Sequence, residues 1–218
     1  MTSIPRRQAR TALLEAALDR LAEVGPMRVH PNEICAELGL SKALVNYHFG
    51  NRDGLLLEAT ALGYERYVDT LAAAAAAAGP TALDRLLAWI DAQVEWTAAH
   101  PGLAAALNFP SVIGDEPVEG RDRFEAQIQE AGTRNFSNLW ALVVAAHREA
   151  RGPEATPVVE DLALDSVVVG WLTFGMSIWF AGRHLPTRSV GEADDVARAR
   201  ARAREVVTRF VTGRPDPS

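Results

Sequence analysis

Side chains able to do chemistry are unevenly spread along this sequence. His100, His147 and His184 lie far apart, and no His-x-x-x-His or Glu-x-x-His pair sets two metal ligands on one helical face. No Gly-x-Ser-x-Gly elbow and no phosphate-cradling glycine loop occurs. Cys35 is the sole cysteine, so it can form no internal disulfide and reads as a packing residue without thiolate character. These readings predict no catalytic residues, no metal and no cofactor. What remains is a short donor-rich stretch: Lys42, Asn46, Tyr47 and His48, with Ala43 among them. Such groups at such spacing suit the base edges and phosphates of double-stranded DNA. Asn46 is the expected base reader, because a side-chain amide can pair with adenine N6 and N7 at once.

A short helix must present these donors, and the flanking residues supply one. Leu13, Leu14, Ala17, Leu18 and Leu21 make a helical stripe that Gly25-Pro26 ends. A second helix opens with His30 at its N-cap and Pro31 at its first position, and closes at Gly39, expected as a left-handed cap. Ser41 caps a third, from Lys42 to about His48, which is too short and polar for a core helix. Two short helices meeting at a glycine predict a helix-turn-helix, with Cys35 at the close approach, Leu40 and Val45 locking the turn and Phe49 anchoring the exit. Asn51 caps a fourth helix, which runs from Arg52 through Tyr64 and Tyr67 into the alanine run 72–78 and stops at Gly79-Pro80.

Helical periodicity continues over about 81–99, 120–149, 158–182 and 192–212, while 101–119, with Gly102, Pro110, Gly114 and Pro117, is expected to be mostly loop. With no period-two apolar run of strand length, the fold is expected to be all-α. The expected division is 1–54 for a three-helix DNA-binding domain and 55–218 for a helical ligand-binding and dimerisation domain.

The net charge of −6 argues against a nucleic-acid partner until its distribution is considered. Residues 1–54 carry seven basic and six acidic side chains, whereas the remainder carries 15 basic and 22 acidic ones. The acidic remainder should face away from a phosphate backbone. Residues 1–10 are polar and basic with no apolar stretch, so no secretory signal is expected. The longest uncharged run, 166–182, falls short of the roughly 18–20 apolar residues of a membrane span. A cytoplasmic protein is therefore expected.

RTALLEAALDRLAEVG (10–25) followed by EICAELGLSKALVNYHFGNRDGL (33–55) resembles the DNA-binding domain of TetR family regulators. The resemblance covers roughly the first quarter of the chain. It implies that Ser41, Lys42 and Ala43 meet bases and phosphates, and that Tyr47, His48 and Arg52 meet phosphate. This chain departs from the family pattern at Asn46, where tyrosine is usual, at His30, where threonine is common, and at Ala43, where glycine is frequent. By residue type alone, Tyr47 and His48 would equally suit packing between helices.

Farther along, the helix over 158–182 is apolar nearly all round and must be buried. With the last helix, whose stripe is Val196, Ala199, Ala203, Val206, Val207 and Phe210, it is expected to make a four-helix homodimer interface, as the resemblance also implies. The alternating arginines 198, 200, 202 and 204 spread round that last helix and read as a solvated face. A pocket for an apolar or aromatic small-molecule effector is expected among Trp89, Trp96, His100, Phe109, Phe136, Trp140, His147, Phe174 and Trp179. Ordinary core packing would explain any one of them. The expected function is a sequence-specific regulator, a repressor released by ligand from a near-palindromic operator. Open alternatives are an activator, or a ligand-binding enzyme or adaptor whose helix-turn-helix is vestigial.

Overall fold

The computed structural model describes residues 6–109, 113–114, 117–152, 159–181 and 195–213, and the structural statements below concern these. Their regular elements are all helical, in agreement with the all-α expectation. Helices α1 (Arg6–Val24), α2 (Pro31–Glu37) and α3 (Ala43–Phe49) form the N-terminal unit. Leu13, Ala17, Leu18 and Leu21 of α1 are buried against Ile34, Cys35, Val45 and Phe49. Gly39, between α2 and α3, takes φ 64°, a left-handed value that favours glycine. Helix α3 starts one residue later than the sequence suggests, with Lys42 as its N-cap and the Ser41 hydroxyl accepting from the Ala43 N–H at 3.3 Å.

Asn51 caps α4 (Arg52–Ala77) as expected, its Oδ1 accepting from the Gly54 N–H at 2.8 Å. A reciprocal box between Thr81 and Asp84 opens α5 (Ala82–Ala99). The next element corrects the sequence reading, since 101–108, expected in loop, form helix α6 (Pro101–Asn108). Pro101 sits at the first turn, where a missing N–H is harmless, and Leu103, Ala104, Ala105 and Ala106 are all buried. Gly102 is no loop former here. It lets α6 touch the end of α1, where a methyl group would overlap the Leu21 carbonyl oxygen and the Gly25 backbone. Helices α7 (Arg121–Arg151), α8 (Val159–Ala181) and α9 (Asp195–Thr212) complete the described fold.

Two apolar cores share α4. The first holds the N-terminal unit together with Leu55, Leu56, Leu103, Ala106, Ile113 and Phe124, so residues far along the chain brace the helix-turn-helix. The second gathers Leu71 of α4 with Leu86, Ile90, Leu139, Val143, Ala203, Val207 and Val211. The α9 stripe is thereby used inside the chain, and ion pairs Arg204–Asp91 (2.5 Å) and Arg200–Glu95 fasten α9 to α5. Arg198 and Arg202 pair with Asp195 and Glu205 on α9 itself, so the arginine ladder forms surface ion pairs. Helix α8 buries Ser166, Val169 and Phe180 but leaves Val167, Val168, Trp171 and Phe174 exposed, Trp171 to 66%. Within one chain, the expected burial of this helix is therefore met on one side only. No helix among the described residues is long and apolar enough to cross a membrane.

Candidate DNA-reading surface and ligand cavity

The surface of α3 follows from what its other side must do. Val45 and Phe49 point into the first core, which turns Ser41, Lys42, Ala43, Asn46 and Tyr47 outward, all of them exposed. Tyr47 is 79% exposed, an unusual position for a large aromatic ring in a protein surface without a partner. His48 is turned partly inward, edge-on to Tyr47 at 4.8 Å and to Phe49 at 6.1 Å between ring centroids. The structure thus brings five of the seven sequence-predicted DNA contacts onto one exposed face and sets His48 beside it.

Arg52 is differently placed. Its guanidinium donates to the carbonyls of Val29 (3.1 Å), Ile113 (2.8 Å) and Pro26, and pairs with the buried Asp53 carboxylate at 2.8 Å. In this conformation its donors face backbone oxygens. Next to it, Asn51 Nδ2 donates to the Pro117 carbonyl at 2.9 Å. Together they tie the first turn of α4 to the segment that leads into α7.

Beyond the helix-turn-helix, a cavity of about 610 Å³ opens among α4, α5, α6, α7 and α8, within the roughly 300–1,000 Å³ typical of small-molecule sites. Tyr64 and Tyr67 of α4 stack at 5.7 Å on one wall, and Trp96 of α5 lies against Tyr67 at 4.7 Å. Trp89, Gln93 and Thr97 continue the α5 wall, and Leu107 and Asn108 close the end at α6. There Asn108 Nδ2 donates to Ser177 Oγ of α8 at 3.0 Å. Gly132, Asn135, Phe136 and Leu139 of α7 face Val167, Gly170, Trp171 and Phe174 of α8 across the cavity. Desolvation, with Tyr64 alongside, drives the Tyr67 phenol far above its ordinary range, while hydrogen bonds from Gln93 and Asn135 oppose that shift. Tyr64 is raised by desolvation as well.

Residues 13–59 match the model of the tetR family of bacterial regulatory proteins. The likeness to the TetR family thus lies in the N-terminal part of the chain. The match begins in the stripe of α1, spans the helix-turn-helix and ends in the second turn of α4, the stretch on which the sequence resemblance rests. Solved structures agree over nearly the whole chain. A protein of unknown function from Rhodococcus sp. RHA1 is 22% identical, with a TM-score of 0.64 over 94% of each chain. A tetR-family regulatory protein from Rhodococcus RHA1 is also 22% identical, at TM-score 0.60, with 94% of this chain and 97% of that one covered. The TetR family regulator PfmR of Thermus thermophilus is 20% identical, at TM-score 0.60, covering 94% and 99%. At these identities the likeness is one of fold. No curated protein matches the chain.

Four of the nine sequence-predicted ligand residues line the cavity: Trp89, Trp96, Phe136 and Phe174. His100 lies behind the wall, stacked on Trp96 at 4.4 Å with its Nδ1 donating to the Trp96 carbonyl at 2.8 Å. His147 is fully buried, Phe109 and Trp140 are half-buried away from the lining, and Trp179 packs against Phe180. Sequence reasoning missed Tyr64, Tyr67, Gln93, Thr97, Asn108, Asn135, Trp171 and Ser177. A usable signal existed for the tyrosines, since two at i and i+3 on a helix otherwise rich in alanine mark a face that meets something large. Nothing in the sequence alone points to Asn108 or Ser177, which are brought together from different helices.

Proposed function

We propose that this TetR-family transcriptional regulator is a repressor that a small, apolar or aromatic effector releases from a near-palindromic operator. Residues 1–54 read the DNA, and 55–218 bind the effector and form the homodimer. One observation carries the reading: α4 is a single unbroken helix whose first turn belongs to the helix-turn-helix and whose Tyr64 and Tyr67 wall the cavity. A ligand that moves this wall moves the helix on which α3 is mounted, which is a coupling between two sites.

Asn46 reads an adenine through its amide, while Ser41, Lys42, Ala43 and Tyr47 fix the register on bases and phosphates. His48 and Arg52 complete the phosphate contacts once DNA draws them out of their present arrangements. The homodimer joins the last two helices of each subunit, and the uncovered face of α8, with Val168 and Trp171, supplies its apolar area. Two reading helices about 34–36 Å apart then address half-sites one helical turn apart.

Selection of tight-binding duplexes from a random library tests the reading. Wild-type protein should recover a near-palindrome, with affinity falling steeply in salt, and Asn46→Ala should recover the same spacing with relaxed preference at one position per half-site. Enrichment of no sequence at moderate salt would sink the proposal, as would an effector that binds the cavity without changing affinity for the selected duplex.

A further inference from the structure

The chemistry of the cavity lining narrows what it can accept. Nineteen of the described residues surround it, and none of these is Asp, Glu, Lys, Arg or His. Its aromatic walls suit flat rings, and its ionisable lining groups are tyrosines that desolvation keeps neutral. An ion held against the buried tyrosines would lose part of its hydration with no countercharge among these residues to replace it. A wholly apolar molecule would leave other needs unmet. The indole N–H of Trp89, a residue only 1% exposed, has no hydrogen-bond partner among the described residues, and neither has Asn135 Oδ1. One is a donor and the other an acceptor, and both belong to lining residues. Buried polar groups of this kind are nearly always paired, because leaving one unpaired costs about 1–3 kcal/mol.

We infer that the effector is an uncharged aromatic molecule bearing a hydroxyl or similar group, which accepts from the Trp89 N–H and donates to Asn135 Oδ1. The inference rests on the ligand-responsive reading above and names the ligand class of that same cavity. Trp96, Tyr64 and Tyr67 supply the ring-stacking wall, and Trp89 with Asn135 supplies the polar specificity. The hydroxyl of a bound ligand would complete the hydrogen-bonding of two groups that the described residues leave incomplete.

The test uses the full chain and four matched probes: phenanthrene and its hydroxyl, carboxylate and trimethylammonium derivatives, each measured by equilibrium dialysis at neutral pH. The hydroxyl derivative should bind about 10-fold more tightly than the parent, the effect of one or two well-made hydrogen bonds, and about 100-fold more tightly than either ion. Asn135→Leu and, separately, Trp89→Phe should each shrink the ratio of hydroxyl-derivative affinity to parent affinity. Either ion binding as tightly as the hydroxyl compound would overturn the inference. A hydroxyl preference that survives both substitutions would do the same, as would failure of all four probes to bind. Each probe is also added to the complex with the selected duplex. The expected binding order without DNA release supports the ligand class and defeats the release mechanism. An ion that binds and releases DNA defeats the ligand class and supports the mechanism.

Discussion

The exposed face of α3 and the cavity behind it differ in how the chain builds them. That face comes from a dozen consecutive residues, Ser41 through Arg52, whose exposed positions are polar apart from Ala43 and Gly50, while Val45 and Phe49 anchor them. The cavity comes from five helices whose contributions span Tyr64 to Ser177. A local surface can be altered one side chain at a time, because each exposed donor acts nearly alone. A cavity between helices depends on how those helices lean on one another, so its properties are collective. What links the two regions is a small set of joints: α4 itself, the contact of α6 with α1, and the Arg52 clasp.

The largest effect is expected where α6 meets α1. Glycine-to-alanine changes inside a helix ordinarily stabilise by about 0.5–1 kcal/mol, because glycine loses more backbone freedom on folding. Gly102→Ala should have the opposite sign. Its methyl group would collide with the Leu21 carbonyl and the Gly25 backbone, so α6 must move away from α1. Overpacking of this kind costs about 3 kcal/mol. A denaturant titration should show the midpoint falling accordingly, and an unchanged or raised midpoint would mean that this joint is slack.

A smaller and more selective effect is expected at Asn46, and it sharpens the contrast. Asn46→Ala should cost about 1–3 kcal/mol of discrimination at the adenine that Asn46 is proposed to read. Because Asn46 is exposed and free of core contacts, the thermal midpoint and probe binding in the cavity should hardly change. If cavity affinity changed as much as DNA affinity, the two regions would not be separable as their construction implies.

How much of this was legible in the sequence follows from the same contrast. The helix-turn-helix, its glycine turn, the Asn51 cap and the long α4 could all be read, because each depends on residues within a few positions of one another. Helix α6 was misread because Pro101 and Gly102 are ordinarily loop formers, and only the surface of α1 explains why a glycine is needed there. Trp89 and Trp96 were found in the cavity wall because the stripe opposite the leucines of α5 could be counted. His147 and Trp140 carry the same kind of signal on α7, yet they fall away from the lining. Helical periodicity says which residues share a face but not which neighbour that face meets.

Arg52 tests where the reading region ends. Resemblance assigns it to phosphate, whereas its guanidinium here satisfies three backbone carbonyls and the Asp53 carboxylate. Arg52→Gln should lower stability by about 1–2 kcal/mol by leaving carbonyls without a donor. If Arg52 is chiefly a clasp, the slope of log affinity against log salt stays as in wild type. If DNA recruits it, the slope falls by about 0.9, the share of one phosphate contact. The two measurements together place Arg52 in the joint or on the face.

The smallest effect is expected at an exposed tie between the same two regions. Glu15 on α1 accepts two hydrogen bonds from Arg66 on α4, at 2.6 and 2.8 Å, and this guanidinium holds the Glu15 carboxyl below its ordinary value of 4.5. A depressed folded-state pKa gives stability that is present above 4.5 and lost as pH falls through the folded value. Both side chains are substantially exposed, at 49% and 40%, so solvent and salt screen the pair and its worth is about 0.5 kcal/mol. Glu15→Gln should therefore lower the melting temperature by about 1–2 °C at pH 7 in low salt. That gap should close in concentrated salt, and again when the pH is taken well below 4.5. A gap that persists in acid would mean that Glu15 holds α1 to α4 by packing of its stem, not by charge. In that case the exposed joint would resemble the buried one at Gly102 in kind, differing only in size.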